Sequence, residues 1–209
     1  MSFDLIFLLE EPSMKNVLDQ LLPKIIPDEI TYLCIPHQGK QDLGKSIPTK
    51  IKTFQYYSPD TRFIIVHDQD SHDCKKLKSE LLEICQTAGK YNNVMIRIVC
   101  HELESWFLGD LAAVEKAYNM KPNSLSKQQG KKKYRNPDQL NSAKEELKGL
   151  VKEYYSGTHS KKIAPYLSLT DNTSHSFQVF IKRCSAVLGV SPMSDCIKKG
   201  IKHLLEVSP

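Results

Sequence analysis

The residues best suited to chemistry in this chain are acids gathered where apolar runs stop. Phe63 to Val66 is a β-rich apolar run that passes His67 and meets Asp68, Asp70 and Asp73 in quick succession. Carboxylates that close together repel one another unless a cation joins them. Two further apolar runs, Asp4 to Leu9 and Val94 to Cys100, also stop at acids, Glu10-Glu11 and Glu102-Leu103-Glu104. Mg²⁺, or Mn²⁺ in its place, takes hard oxygen ligands and is usually held by one or two carboxylates plus substrate phosphate oxygens. Asp68-Gln69-Asp70 presents two such ligands from one rigid point. The chemistry expected of the set is phosphodiester cleavage, in which a metal activates water and stabilises the leaving oxygen. In this reading Asp68, Asp70, Glu10 and Glu102 are metal ligands. Glu10 and Glu104 also handle protons, and His67, Asp73 and Ser13 support them by hydrogen bonds.

Each group has a plainer use. The acids at 68–73 can cap a following helix and complement its dipole. Glu10 and Glu11 can be surface residues, and Glu102 and Glu104 can pair with Arg97 or with lysines. Helix capping accounts for one or two of the acids at 68–73, not for three acidic run ends together. Asp73, one turn on, suits capping or orienting better than ligation. His67, His72 and His101 suit hydrogen bonding better than ligation, because an all-oxygen magnesium site needs no imidazole.

For the acidic run ends to meet, the runs must be strands of one sheet with a shared direction. The pattern supports this. Val17, Leu18, Leu21 and Leu22 predict a helix after the first run, capped by Ser13 and stopped by Pro23. A second strand, Glu29 to Ile35, breaks at a loop from Pro36 to Leu43 that carries Gly39 and Lys40, and the next helix is entered through Ser46-Ile47-Pro48. Cys74, Leu77, Leu81, Ile84, Cys85 and Ala88 predict a helix after the third strand, capped by Ser71 and closed by Gly89. Asp110 caps a short helix from Leu111 to Tyr118. Four alternations of strand and helix predict a mainly parallel sheet covered on both faces, with every strand tip on one edge.

The texture changes at Lys121. Residues 121–135 hold Lys121, Lys127, Lys131, Lys132, Lys133 and Arg135 and no acid. A mobile basic loop is expected here, with Lys131, Lys132, Lys133 and Arg135 joining Lys40 on nucleic-acid phosphates. Helices are expected around Ala143, Leu147, Leu150 and Val151, over Ser176 to Leu188, and in a tail from Ser191 bearing Ile197, Ile201, Leu204 and Leu205. The organisation is a single domain over 1–209, with an α/β core in 1–120 and a basic loop and helical extension in 121–209.

The net charge of +5 is unevenly spread. Residues 1–120 carry 13 basic and 17 acidic side chains, whereas residues 121–209 carry 16 and 7. An acidic half with a cation-seeking cluster beside a basic half suits an enzyme acting on a polyanion; a solvated basic tail is the plainer alternative. No apolar run approaches the ~20 residues needed to cross a bilayer. The N-terminus lacks a basic start and a small-residue cleavage site, so it reads as a strand and not a signal peptide. The six cysteines are scattered without a Cys-x-x-Cys pair, as in the reduced core of a cytoplasmic protein.

A strand ending in Glu10, followed by a strand ending in Asp68-Gln-Asp70 within a β/α sheet, resembles the toprim domain of topoisomerases, primases and OLD-type nucleases. Nearly the whole chain is similar to the bacterial domain-of-unknown-function 4276 family. That likeness rests on Leu-Leu-Glu10-Glu-Pro-Ser13, Ile35-Pro-His37-Gln-Gly39-Lys40-Gln-Asp42-Leu43, His67-Asp68-Gln-Asp70-Ser-His-Asp73-Cys74, Glu102-Leu-Glu104-Ser105-Trp106-Phe107-Leu-Gly109-Asp110 and Ser176-Phe177-Gln178. The toprim resemblance implies a Rossmann-like three-layer fold, with Glu10 as acid/base or metal contact and Asp68 and Asp70 as Mg²⁺ ligands. The chain departs from it at Glu11, where toprim sequences usually have glycine, and at Cys74, where glycine often follows the aspartates. The family resemblance further implies a separate AAA- or ABC-type ATPase partner in a phage-defence setting; the chain has no Gly-x-x-x-x-Gly-Lys-Ser/Thr loop of its own. Homo-oligomerisation stays open. A non-catalytic module that binds nucleic acid or regulates an ATPase, and a nucleotide-sugar glycosyltransferase using Asp-x-Asp, are the rivals. The glycosyltransferase reading leaves Glu10 and Glu102/Glu104 without a role.

Overall fold

Four apolar runs form one sheet, and the helices between them cover both its faces. The computed structural model describes residues 2–89 and 92–188. Strand β1 (Leu5–Leu9) is followed by α1 (Pro12–Leu21), β2 (Tyr32–Pro36), α2 (Lys40–Tyr57), β3 (Arg62–Asp68), α3 (Cys74–Gln86) and β4 (Val94–Val99). All strand pairs are parallel, in the order β2-β1-β3-β4. β1 is buried along its whole length and β3 from Phe63 to His67, which is why both read as continuous apolar runs and not as alternating ones. Their side chains alternate between two cores. Phe7, Leu9, Ile64 and Val66 face a larger core with α1, while Ile6, Leu8, Phe63 and Ile65 face a smaller one with Leu43, Ile47 and Ile51 of α2 and Leu77 and Leu81 of α3.

The second half of the described chain is helical: α4 (Glu104–Leu108), α5 (Leu111–Ala117), α6 (Lys132–Arg135), α7 (Ala143–Leu150), α8 (Ser156–Ile163) and α9 (His175–Val187). These helices add to the larger core on the α1 face. Trp106 packs edge-on to Phe177 at 5.2 Å and tilted against Phe180 at 5.1 Å, and its Nε1–H donates to the Ser176 hydroxyl at 3.0 Å. One contiguous apolar cluster therefore runs from Leu5 to Cys184.

The helix starts differ from those the local pattern suggests. Helix α1 starts at Pro12, which suits a first helical position because its missing N–H would be unpaired there anyway. Ser13 lies inside that turn, buried, with its hydroxyl donating to the Glu11 carboxylate, so it caps nothing. Helix α2 begins at Lys40, not near Ser46, and Pro48 sits in its interior. Leu43, Ile47 and Ile51, spaced four apart, form a stripe against the sheet, and Gly39 supplies a turn with φ of +97°. Asp73, not Ser71, caps α3 by accepting from the Lys75 and Lys76 N–H groups, both at 2.9 Å. The 121–135 segment is ordered by Glu115, whose carboxylate accepts from the N–H groups of Asn123, Leu125 and Ser126 at 2.8 to 3.0 Å. The helix expected from Ser191 lies outside the described residues. None of the five described cysteines is in a disulfide, and no helix of the described residues is long and apolar enough to cross a membrane.

Candidate active site at the strand tips

In an open parallel sheet, ligands favour the crevice beyond the strand C-termini where the strand order reverses. Here α1 carries the chain from β1 outward to β2, and α2 returns it past β1 to β3. The reversal lies between β1 and β3, whose tips are Glu10 and Asp68. Glu10 is pinned through its backbone: its N–H donates to the Val66 carbonyl at 3.2 Å, and its carbonyl accepts from Gly39 N–H at 2.9 Å.

The Glu10 carboxylate is held as firmly. Oε2 accepts from the Asp68 N–H at 2.9 Å and lies 3.0 Å from His67 Nδ1. His67 Nδ1 is also 2.5 Å from the Asp68 carbonyl, and since a carbonyl only accepts, Nδ1 carries the proton. Burial pushes the Glu10 carboxyl up, but the His67 hydrogen bond and charge, the Asp68 N–H and the Lys40 charge outweigh it and hold the group below its usual range. Burial likewise pushes His67 down, and its hydrogen bond and attraction to Glu10, with help from the Asp68 carbonyl and Asp70, bring it above its usual value.

Asp68 has no such support. Its Oδ1 is buried without a hydrogen-bond partner. Burial first, then repulsion from Glu10, Glu11, Glu104 and Asp70, pushes its carboxyl well above the ordinary range. Beyond it the chain turns through left-handed backbone at Asp70 (φ 50°), and the β4 tip does the same at His101 (φ 56°). The two turns are latched: Asp70 N–H donates to the His101 carbonyl at 2.8 Å, and His101 Nδ1 lies 3.1 Å from the Asp70 carbonyl. The Asp70 carboxylate faces Lys40 Nζ at 3.8 Å.

The β4 tip divides its two acids. Glu104 opens α4 and is buried; Tyr154 donates to its Oε1 at 2.8 Å, and burial raises its carboxyl despite that hydrogen bond. Glu102 instead accepts from Lys144 N–H at 2.9 Å and anchors the start of α7. Ser13 serves Glu11. Among the expected phosphate contacts, Lys133 is paired with Glu146 at 2.6 Å and Lys131 donates to Gln128 at 2.9 Å, while Lys132 and Arg135 are exposed.

Residues 9–184 match the model of a family described as a domain of unknown function, DUF4276. The chain belongs to the DUF4276 family. No curated protein and no solved structure matches the chain. The family match takes in both the acidic strand tips and the helices behind them, so in this DUF4276 chain Tyr154 and Lys144 belong to the same matched unit as Glu10 and Asp68. Sequence reasoning passed over Tyr154 and Lys144 because both lie far along the chain, in segments without a motif. Glu11 was visible as an acid, but its proximity to Asp68 was not.

Among the described residues, no group of three or more His, Cys, Asp or Glu side chains is disposed to hold a metal ion. The oxygen chemistry nevertheless fits Mg²⁺, which needs only one or two protein carboxylates when substrate phosphate supplies the rest. The observation that bears on the fit is the buried Asp68 Oδ1, which has no hydrogen-bond partner and lies among acids that repel its charge.

Proposed function

We propose that this chain is a toprim-like, Mg²⁺-dependent nuclease whose site lies between the tips of β1 and β3. The observation that carries the reading is the buried, unpartnered Asp68 Oδ1 among four further carboxylates at the strand-order reversal. Asp68 and Asp70 would hold the ion (Mg²⁺ or Mn²⁺), with Glu10 as a further ligand or proton carrier. The bound ion supplies an activated water and charge stabilisation on the leaving oxygen. The chain's own groups do the positioning. His67 Nδ1–H and the Asp68 N–H fix Glu10 Oε2, and Tyr154 fixes Glu104 Oε1. Burial keeps Glu104 protonated to higher pH than an ordinary glutamate, which suits it to return a proton to the leaving oxygen. Lys40, with exposed Lys132 and Arg135, would meet backbone phosphates. An ATPase partner would be a separate chain acting on this effector.

Purified protein should cleave a nucleic-acid substrate only with Mg²⁺ or Mn²⁺ present. Asp68→Ala with Asp70→Ala should reduce cleavage to background while far-ultraviolet circular dichroism is unchanged; a folded double variant that still cuts would sink the assignment. The lack of three converging ligands among the described residues favours a second reading, a nucleic-acid-binding or ATPase-regulating module without catalysis. Calorimetry with Mn²⁺ separates the two, since a scaffold has no need of a metal site.

A further inference from the structure

We infer that Lys144, in the first turn of α7, is the second cationic post of the strand-tip site, and that a phosphodiester backbone is gripped along the sheet edge between Lys144 and Lys40. This rests on the reading of the site as one that acts on nucleic acid, and it names the surface that would hold the substrate.

Lys144 is tied to the site by its backbone. Its N–H donates to the Glu102 carboxylate at 2.9 Å, which fixes the start of α7 to the β4 tip. Ala143 beside it is fully buried and sets the depth of the turn, leaving Lys144 half-covered at the rim. Its ammonium forms no ion pair among the described residues, yet its charge reaches buried Glu104. The neighbouring cations already have carboxylate partners, although the charge of Lys148 also reaches Glu104 and Glu102. Lys148, one turn on, pairs with Glu145 at 2.7 Å, and Lys133 pairs with Glu146 at 2.6 Å. A lysine held by its backbone beside a carboxylate cluster, with its ammonium unpaired, is placed to receive an anion that the acids alone would repel.

Lys40 is its counterpart. It opens α2 just after Gly39, whose N–H is bonded to the Glu10 carbonyl, and its Nζ lies 3.8 Å from Asp70. Helix α2 packs on the smaller core and α7 on the larger, so the two lysines approach the strand tips from opposite faces of the sheet. Two cations flanking a row of acids suit the phosphates of one backbone passing over a site that needs them for its remaining metal ligands. Such contacts position a backbone without reading bases, so binding should be indifferent to sequence.

The test is binding, kept apart from cleavage. Fluorescence anisotropy in EDTA would measure the affinity of the full chain for a DNA and an RNA oligomer of the same sequence over a range of salt. Lys144→Gln should weaken binding and flatten the slope of log K against log salt by about 0.7 to 0.9, the share of one phosphate contact. Lys144→Arg should restore the slope. Lys52→Gln, about 18 Å further along α2 from Lys40, should leave it unchanged. Whichever oligomer shows the Lys144 effect identifies the backbone. A folded Lys144→Gln variant with the wild-type slope overturns the inference and leaves the carboxylate reading to be judged by cleavage in the Asp68/Asp70 variant. Wild-type protein that binds neither oligomer, in EDTA or with Ca²⁺ in place of Mg²⁺, overturns the inference and the nucleic-acid substrate together.

Discussion

Asp68 and Glu10 are adjacent strand-tip acids with opposite environments. Glu10 is hydrogen-bonded into ionisation; Asp68, half-buried with its Oδ1 enclosed, is driven out of it by burial of that oxygen and by repulsion. The consequence for stability has a definite sign. With its folded value raised, Asp68 holds a proton in the folded state at pH values where the unfolded chain has already lost it. Metal-free stability therefore falls as pH climbs from the ordinary aspartate value of 3.8 through the raised one. Asp68→Asn keeps the shape and removes the charge. In EDTA its melting temperature should equal or slightly trail that of the wild type near pH 4 and exceed it at pH 8. Added Mg²⁺ should narrow the gap by stabilising only the wild type. A variant that melts below the wild type at pH 8 without metal would show that the Asp68 carboxylate is already satisfied.

Among the elements, the 121–135 segment departs furthest from its sequence pattern. Its lysines, Gln, Asn and Gly promise a solvated loop, yet Glu115 at the end of α5 gathers its backbone. The N–H groups of Ser126, Leu125 and Asn123 and the Ser126 hydroxyl hold the Glu115 carboxyl at about 2. A depressed carboxylate contributes stability above its unfolded value of 4.5 and loses it as pH falls toward about 2. Glu115→Gln should therefore melt below the wild type at pH 7, and the difference should shrink steadily on acidification through that window. Hydrogen exchange at Leu125 and Ser126 should quicken in the variant at neutral pH. A difference between the two proteins that does not depend on pH would assign the effect to packing and not to charge.

At the scale of the whole molecule, the helical half has no core of its own. Leu9, Val17, Trp106, Leu147, Phe177 and Cys184 belong to one cluster, so the helical half is the covering layer of one sheet face. Trp106 is its keystone, almost fully buried, packed on two phenylalanines and hydrogen-bonded to Ser176. Trp106→Ala should cost about 3 to 5 kcal/mol. Chemical denaturation should remain a single transition by tryptophan-independent probes such as circular dichroism. Two transitions would mean that the strands and the C-terminal helices unfold separately. The adjoining Gly109 shows how tight the joint is: a Cβ there would collide with Asn172 Oδ1 and come within 2.8 Å of Ser174 N.

The sequence by itself determined the strands, their shared direction and the acids at their tips, because a buried parallel strand must be apolar throughout and its polar continuation marks where it leaves the core. It also showed the cap at Asp110, since a short acid before an amphipathic repeat has local work to do, but at α3 it pointed to Ser71 where Asp73 is the cap. Tertiary structure alone decided which acids are satisfied. Glu102 is occupied by α7, Glu104 by Tyr154 and Glu10 by His67 and the Asp68 amide, while Asp68 Oδ1 is left without a partner. Those partners come from up to 58 residues away for Asp68 and Glu10 and 50 for Tyr154 and Glu104. Local pattern carries no record of such distant pairings, because hydrogen bonding and burial depend on what the folded chain brings within 3 Å, not on what precedes a residue in sequence.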